Sequence, residues 1–226
     1  MTSTKNRETT QVPAPNARRR RTLLWVAGAV AVVIVLVGLY GIFSTASAPK
    51  TSGAGTGPGA GRSYDVGQPG PGQAAPGFTL SDTTGKQVSL KDYQGKNVLL
   101  YFQEGLTCQP CWDQLSSLEK DAAQVKAAGV DAVVSVTTDP ANLIARKTAD
   151  MGLGTTVLSD PDLAVSGQYG ANRFGMMGAS RDGHSFILVG PDGTIRWRAD
   201  YGGAPNYTMF IPVQKLLSDL KDGTRQ

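Results

Sequence analysis

Cysteine and histidine are nearly absent from this chain: its 226 residues hold two cysteines, Cys108 and Cys111, and one histidine, His184. Two cysteines three positions apart cannot build a disulfide framework, and a structural zinc site, which usually takes four Cys or His ligands, fits poorly. One histidine excludes a three-histidine or HExxH metal centre. Positive charge is also scarce where a nucleic-acid binder would need it. The formal charge is +4, yet residues 1–21 alone carry a net +5 through Lys5, Arg7, Arg18, Arg19, Arg20 and Arg21 against Glu8. The other 205 residues therefore sum to −1. The basic character belongs to an N-terminal tail, and no nucleic-acid partner is expected.

Long hydrophobic runs are limited to one, and it is uninterrupted. Residues 23–43 contain no charged side chain. As a helix they would extend about 31 Å, enough to cross a bilayer core. The arginines just before the run favour a cytoplasmic N-terminus, and Trp25 and Tyr40 stand near its ends, where amphipathic rings prefer the interface. A cleaved signal peptide is the alternative, with Ala46-Ser47-Ala48 as its cleavage tripeptide. The length of the run and Pro49 directly after the tripeptide argue for a retained anchor. No cysteine follows the run to carry a lipid. Residues 44–77 then hold nine Gly and five Pro and almost no large apolar side chain. That composition reads as a tether. The expected organisation is a basic cytoplasmic tail (1–21), a transmembrane helix (22–43), a Gly/Pro-rich linker (44–66) and one domain (67–226) outside the membrane.

In the domain, strand and helix patterns alternate. Residues 78–80 and 88–90 read as a β-hairpin around Gly85, and the apolar run Val98–Phe102 reads as a buried strand. Trp112, Leu115, Leu118, Ala122 and Val125 recur at helical spacing up to Gly129. A second buried strand is expected over 130–136, and helices over 141–151, 162–169 and 213–221. Residues 186–189 and 194–197 flank Pro191-Asp192-Gly193 as another hairpin. The order β-α-β-α-β-β-α implies an α/β fold with a mixed central sheet flanked by helices.

The chemistry concentrates at Cys108-Gln109-Pro110-Cys111. This stretch follows a buried strand and opens an amphipathic helix. A helix N-terminus carries partial positive charge and free N–H groups, both of which favour a thiolate. Pro110 in the first turn costs no hydrogen bond. Cys108 is expected to be the exposed nucleophile and Cys111 the resolving thiol, exchanging disulfides through a mixed-disulfide intermediate. The alternative is a permanent disulfide or two idle core thiols.

These features resemble the redoxin branch of the thioredoxin superfamily: the AhpC/TSA peroxiredoxins and the membrane-tethered TlpA-like thiol-disulfide oxidoreductases. The resemblance rests on Gly67, Ala75-Pro76-Gly77-Phe78-Thr79-Leu80, Gly85-Lys86, Val88-Ser89-Leu90, Gly95-Lys96, the CxxC, and the hairpin around Pro191-Asp192-Gly193. It implies a thioredoxin-like fold and a membrane-anchored thiol-disulfide oxidoreductase with an antioxidant role. Its implied partners are extracytoplasmic thiols and disulfides or small oxidants, with a membrane electron donor. Two departures stand out. His184 replaces the proline that thioredoxins place before the strand facing the CxxC. The peroxiredoxin pattern Pro-x-x-x-Thr-x-x-Cys is missing in both registers: Glu104 and Cys108 stand in it relative to Cys111, and Tyr101 and Gly105 relative to Cys108. Efficient thiol peroxidase activity is therefore a further alternative only. Arg181 lies at the wrong offset from Phe186 to serve as that family's pocket arginine.

Asp182-Gly183-His184-Ser185 before the same strand also resembles the Sco copper proteins, which bind copper through two cysteines and a histidine. This implies an alternative in which Cys108, Cys111 and His184 hold copper, although the Sco spacing is CxxxC. Otherwise no cofactor is expected. As an oxidoreductase residue, His184 would lower the Cys108 pKa as an imidazolium or move protons between the sulfurs as a neutral ring. Glu104 is the candidate proton acceptor for the resolving thiol; the alternative is a solvated strand-end carboxylate. Trp112 either covers the dithiol or packs the helix, and Met176-Met177 forms a loop, an apolar lip or an extra soft ligand. The loop 201–207 is aromatic and unassigned.

Overall fold

A computed structural model of the protein describes residues 62–225. The expected tail, membrane span and most of the linker lie outside those residues. Among the described residues no helix is long and apolar enough to cross a membrane. Seven strands form one mixed sheet in the order β2-β1-β5-β4-β3-β6-β7. They are β1 (Thr79–Asp82), β2 (Gln87–Ser89), β3 (Val98–Phe102), β4 (Ala132–Thr137), β5 (Thr156–Ser159), β6 (Ser185–Val189) and β7 (Ile195–Asp200). The helices are α1 (Gln109–Lys120), α2 (Ala122–Ala127), α3 (Ala141–Met151), α4 (Ala164–Gln168) and α5 (Val213–Thr224).

The all-apolar β3 is an interior strand of this sheet. It pairs in parallel with β4 and antiparallel with β6, and all five of its residues are buried. A strand covered on both faces needs such a continuous run. On one face, Leu99, Tyr101, Phe186 and Trp197 pack against Trp112 and Leu115 of α1 and Leu216 of α5. On the other, Leu100, Phe102, Val136 and Ile187 meet Val165 of α4 and Tyr169 just beyond it.

Three expectations are corrected. A strand, β5, occupies 156–159, where none was expected; four residues after Gly154 are too few to show a period, and pairing with β4 and β1 makes the strand. The helical run to Gly129 is two helices, because the chain departs from helical dihedrals at Asp121 (φ −98°, ψ 23°). The Gly/Pro-rich stretch is not all tether. Asp65 exchanges backbone hydrogen bonds with Asp200 at 2.9 Å, Ala75 N–H donates to Gly193 at 2.9 Å, and the Tyr64 ring lies 5.9 Å from that of Trp197. The buried Arg198 guanidinium donates to the Pro69 carbonyl (3.0 Å), and Asp200 accepts from Gly67 N–H (2.7 Å). An edge strand and a buried ion pair thus supply the partners that this stretch lacks in its own side chains.

Candidate functional site: a buried dithiol at a helix start

β3 runs toward the site and hands the chain to Glu104-Gly105-Leu106-Thr107, a loop clamped from several sides. Gly105 has φ +82°, and a Cβ there would stand 1.8 Å from Asp139 Oδ2 and 2.3 Å from Thr137 Oγ1. Asp139 Oδ2 accepts the Leu106 N–H at 2.6 Å. Its other oxygen pairs with Arg181 Nη1 at 2.9 Å, and that nitrogen also donates to the Glu104 carbonyl at 3.1 Å. Trp112 Nε1 donates to the Gly105 carbonyl at 3.0 Å, so this fully buried ring both packs the core and holds the loop. Arg181, misplaced for a pocket arginine, is thus part of the clamp.

Cys108 is the N-cap of α1, and its sulfur accepts the Cys111 N–H at 3.3 Å. Pro110 lies in the first turn. Cys108 and Cys111 are joined as a disulfide. Cys108 is only 4% exposed and Cys111 is fully buried. The expected order of exposure is thus present but slight. Met209 packs with the two cysteines in a small buried cluster.

His184 stands at the mouth of β6 and is fully buried. Tyr101 links it to the dithiol: the hydroxyl donates to the Cys111 carbonyl at 3.2 Å and lies 3.0 Å from His184 Nδ1. A hydroxyl has one proton, so the arrangement that satisfies both contacts protonates Nδ1 and leaves Nε2 with its lone pair. Nε2 has no partner in the fold. Burial pushes the His184 pKa down to about 3. Burial thus favours the neutral ring over the imidazolium. Among the described residues no three His, Cys, Asp or Glu side chains form a group that could hold a metal ion.

Glu104 is buried and is not a solvated carboxylate; its Oε1 accepts the Met176 N–H at 2.5 Å. Burial, then the charge of Glu104, raises the Tyr101 pKa well above its usual value. Met176 and Met177 are exposed, at 56% and 49%, on the segment bonded to Glu104. Asp182 is buried with neither oxygen hydrogen-bonded. The nearby Ser166 hydroxyl is given to Asp160 (2.6 Å). Burial is the main cause that raises the Asp182 pKa well above the carboxylate range, with the Asp160 charge acting in the same direction.

Sequence reasoning singled out Cys108, Cys111, Glu104 and His184, and all four lie at this end of the sheet. It missed Tyr101, Asp139 and Met209 as site residues. Only Asp139, a buried acid just past a strand, left a usable signal.

Comparison with known proteins bears on the chemistry. The profile of the AhpC/TSA family matches residues 71–198. Peroxiredoxin Bcp of Escherichia coli K12 is 37% identical over 127 residues, covering 55% of this chain and 81% of that one. A putative peroxiredoxin bcp of Haemophilus influenzae is 34% identical over 127 residues with the same coverage. The crystal structure of peroxidoxin BcpB from Mycobacterium tuberculosis superposes with a TM-score of 0.57 at 19% identity, covering 68% of this chain and 97% of that one. The likeness of fold, the extent of the sequence match and the paired cysteines at a helix start agree: this chain belongs to the AhpC/TSA family and is a thiol-based oxidoreductase of thioredoxin-like fold.

Proposed function

We propose that the protein is a membrane-anchored, extracytoplasmic thiol-disulfide oxidoreductase in which Cys108 attacks and Cys111 resolves. The observation that carries this reading is the Cys108–Cys111 disulfide at the start of α1, with the Cys111 N–H on the Cys108 sulfur. That bond and the helix terminus favour negative charge on Cys108. In the reduced protein the Cys108 thiolate attacks a substrate sulfur, forming a mixed disulfide and releasing one substrate thiolate. Cys111 then loses its proton and attacks Cys108, which closes the internal disulfide and releases the second thiolate. Glu104, buried beside Tyr101, is the proposed acceptor of the Cys111 proton. The neutral His184, joined through Tyr101 to the Cys111 carbonyl, holds that turn in place.

Anchorage rests on the charge-free run 23–43 behind four arginines. A membrane donor would return the electrons. Protease added to intact cells is expected to remove the domain and spare residues 1–21; a protected domain would overturn the outside location.

Peroxide is the second oxidant that this reading admits, because relatives at 34–37% identity are named peroxiredoxins. The Cys108 thiolate would take one peroxide oxygen as a sulfenic acid and release hydroxide; Cys111 would then close the disulfide and release water. With Tyr101 and Gly105 in place of the peroxiredoxin Pro and Thr, the site lacks donors for that transition state. The full-length reduced protein in detergent is expected to reduce insulin readily. Hydrogen peroxide should oxidise it little faster than it does an isolated low-pKa thiol. A peroxide rate orders of magnitude higher would reverse the ranking.

A further inference from the structure

The chain around the first cysteine lies at the surface: Thr107, Gln109 and Pro110 are all exposed. Cys108, between them, is buried, at 4% exposure. The segment between β7 and α5 repeats the pattern from the other side. Tyr207 and Phe210 are exposed, whereas Met209 is only 6% exposed. Each surface segment thus turns one sulfur-bearing side chain inward, and the two meet in the buried cluster of Cys108, Cys111 and Met209. Beyond Phe210 the alternation continues, with Ile211 buried, Pro212 exposed and Val213 buried. That is the pattern of an extended ribbon with one face on the protein. Residues 208–212 are therefore a strap one chain thick, with Met209 against the dithiol.

Hydrogen bonds fasten the strap on both sides of Met209. The Thr208 N–H donates to the Tyr201 carbonyl at 3.0 Å, and the Ile211 N–H donates to Gln114 Oε1 at 2.6 Å. Gln114 lies on α1, three residues beyond Cys111. Its amide makes an incomplete catch, because the buried Nε2 has no partner in the fold. The corner before the strap is Tyr207 at φ +44°, in the left-handed region that residues with a Cβ seldom occupy. Lifting the strap would hydrate the amide and relax the corner, and both lower its cost.

We propose that residues 208–212 are a lid and that Met209 sets the access of thiols to the Cys108–Cys111 disulfide. The proposal rests on the reading that Cys108 is the sulfur attacked when the dithiol is regenerated. A donor thiolate must come within bonding distance of that sulfur, and exchange rates depend on such access. With Met209 in place the thiolate meets the methionine first. With the strap lifted, a donor thiolate bonds to the Cys108 sulfur, the disulfide breaks, and Cys111 leaves as a thiolate that takes up a proton. The donor's second thiolate then attacks the donor sulfur of the mixed disulfide and releases the Cys108 thiolate. Two electrons pass to the protein, and the donor leaves as its own disulfide. The unbranched, flexible side chain of methionine suits a cover that swings out and returns.

The test follows reduction of the full-length oxidised protein in detergent by dithiothreitol, with acid quenching and mass spectrometry. Met209→Ala removes the cover, and Gln114→Leu removes the catch. Each should speed reduction by roughly tenfold or more with an unchanged circular dichroism spectrum. Phe210→Ala, on the outward face of the same strap, should change it less than about twofold. Reduction potentials measured against glutathione should match the parent's, so that the gain lies in access and not in driving force. Met209→Ala decides alone should Gln114→Leu not fold. Equal rates in parent and Met209→Ala, an equal gain in Phe210→Ala, or a gain matched by a shift in potential would each overturn the lid. Reduced parent protein that fails to reduce insulin would instead overturn the dithiol reading beneath it.

Discussion

The two ends of the sheet are built differently. At the end away from the dithiol, the turns close on themselves. Asp82 accepts from Thr84 N–H at 2.8 Å and Lys86 N–H at 3.0 Å, and Asp192 accepts from Thr194 N–H at 3.0 Å. These partners are two to four residues apart and exposed. At the dithiol end the partners are distant in sequence and largely buried: Asp139 with Leu106, Arg181 with Asp139, Gln114 with Ile211, Tyr101 with His184. Here too lie buried polar atoms without partners, including His184 Nε2, Gln103 Oε1 and Ser185 Oγ. Such atoms cost stability, and they collect where chemistry is done rather than where the chain merely turns.

The sharpest test of that contrast is a pair of glycines with almost the same dihedral. Gly105 (φ +82°) faces Asp139 and Thr137, whereas Gly85 (φ +85°) has nothing within 4 Å of an added Cβ. In urea unfolding, Gly105→Ala is expected to cost about 3 kcal/mol or more and to slow disulfide exchange. Gly85→Ala should cost only the left-handed penalty of about 1 kcal/mol. Equal costs would break the comparison.

A second test is the pH dependence. His184 is neutral in the fold, with its pKa pushed down to about 3, and protonates in the unfolded chain near pH 6.5. Its contribution is present above that pH and is lost as pH falls. Asp182 works in the opposite direction: it is held protonated, so its contribution is present at low pH and is lost as pH rises. The two trends oppose each other between about pH 4 and 6.5. The stability of His184→Gln relative to the parent should therefore improve by about 2 kcal/mol between pH 7 and pH 5. A constant difference would mean that the ring is already charged or exposed.

A smaller effect is expected from the loop clamp. Arg181→Gln removes the partner of a buried carboxylate and should cost about 1–2 kcal/mol. Arg196→Ala breaks only the exposed pair with Asp192 at the far end and should fall within experimental error. Comparable losses would show that the two ends are not distinct.

The same contrast explains what the sequence revealed. The hairpins at Gly85 and Pro191-Asp192-Gly193, the apolar β3 and the amphipathic α1 are written in neighbouring residues, so they were legible. Cys108 and Cys111 were legible because they are the sole cysteines and open a helix. β5 was not, since four residues become a strand only between β4 and β1. Residues 64–75 misled because their partners, Arg198, Asp200 and Gly193, lie over a hundred residues away. Met209 stayed hidden for the same reason: nothing near it in sequence marks it as the cover of the dithiol.

The central claim, that Cys108 attacks and Cys111 resolves, is tested most directly by trapping. Full-length Cys111→Ser, reduced and mixed with a disulfide substrate, should accumulate a mixed disulfide that mass spectrometry maps to Cys108, while Cys108→Ser accumulates none. Adducts that form only through Cys111, in the Cys108→Ser protein, would contradict the account and exchange the roles of the two cysteines.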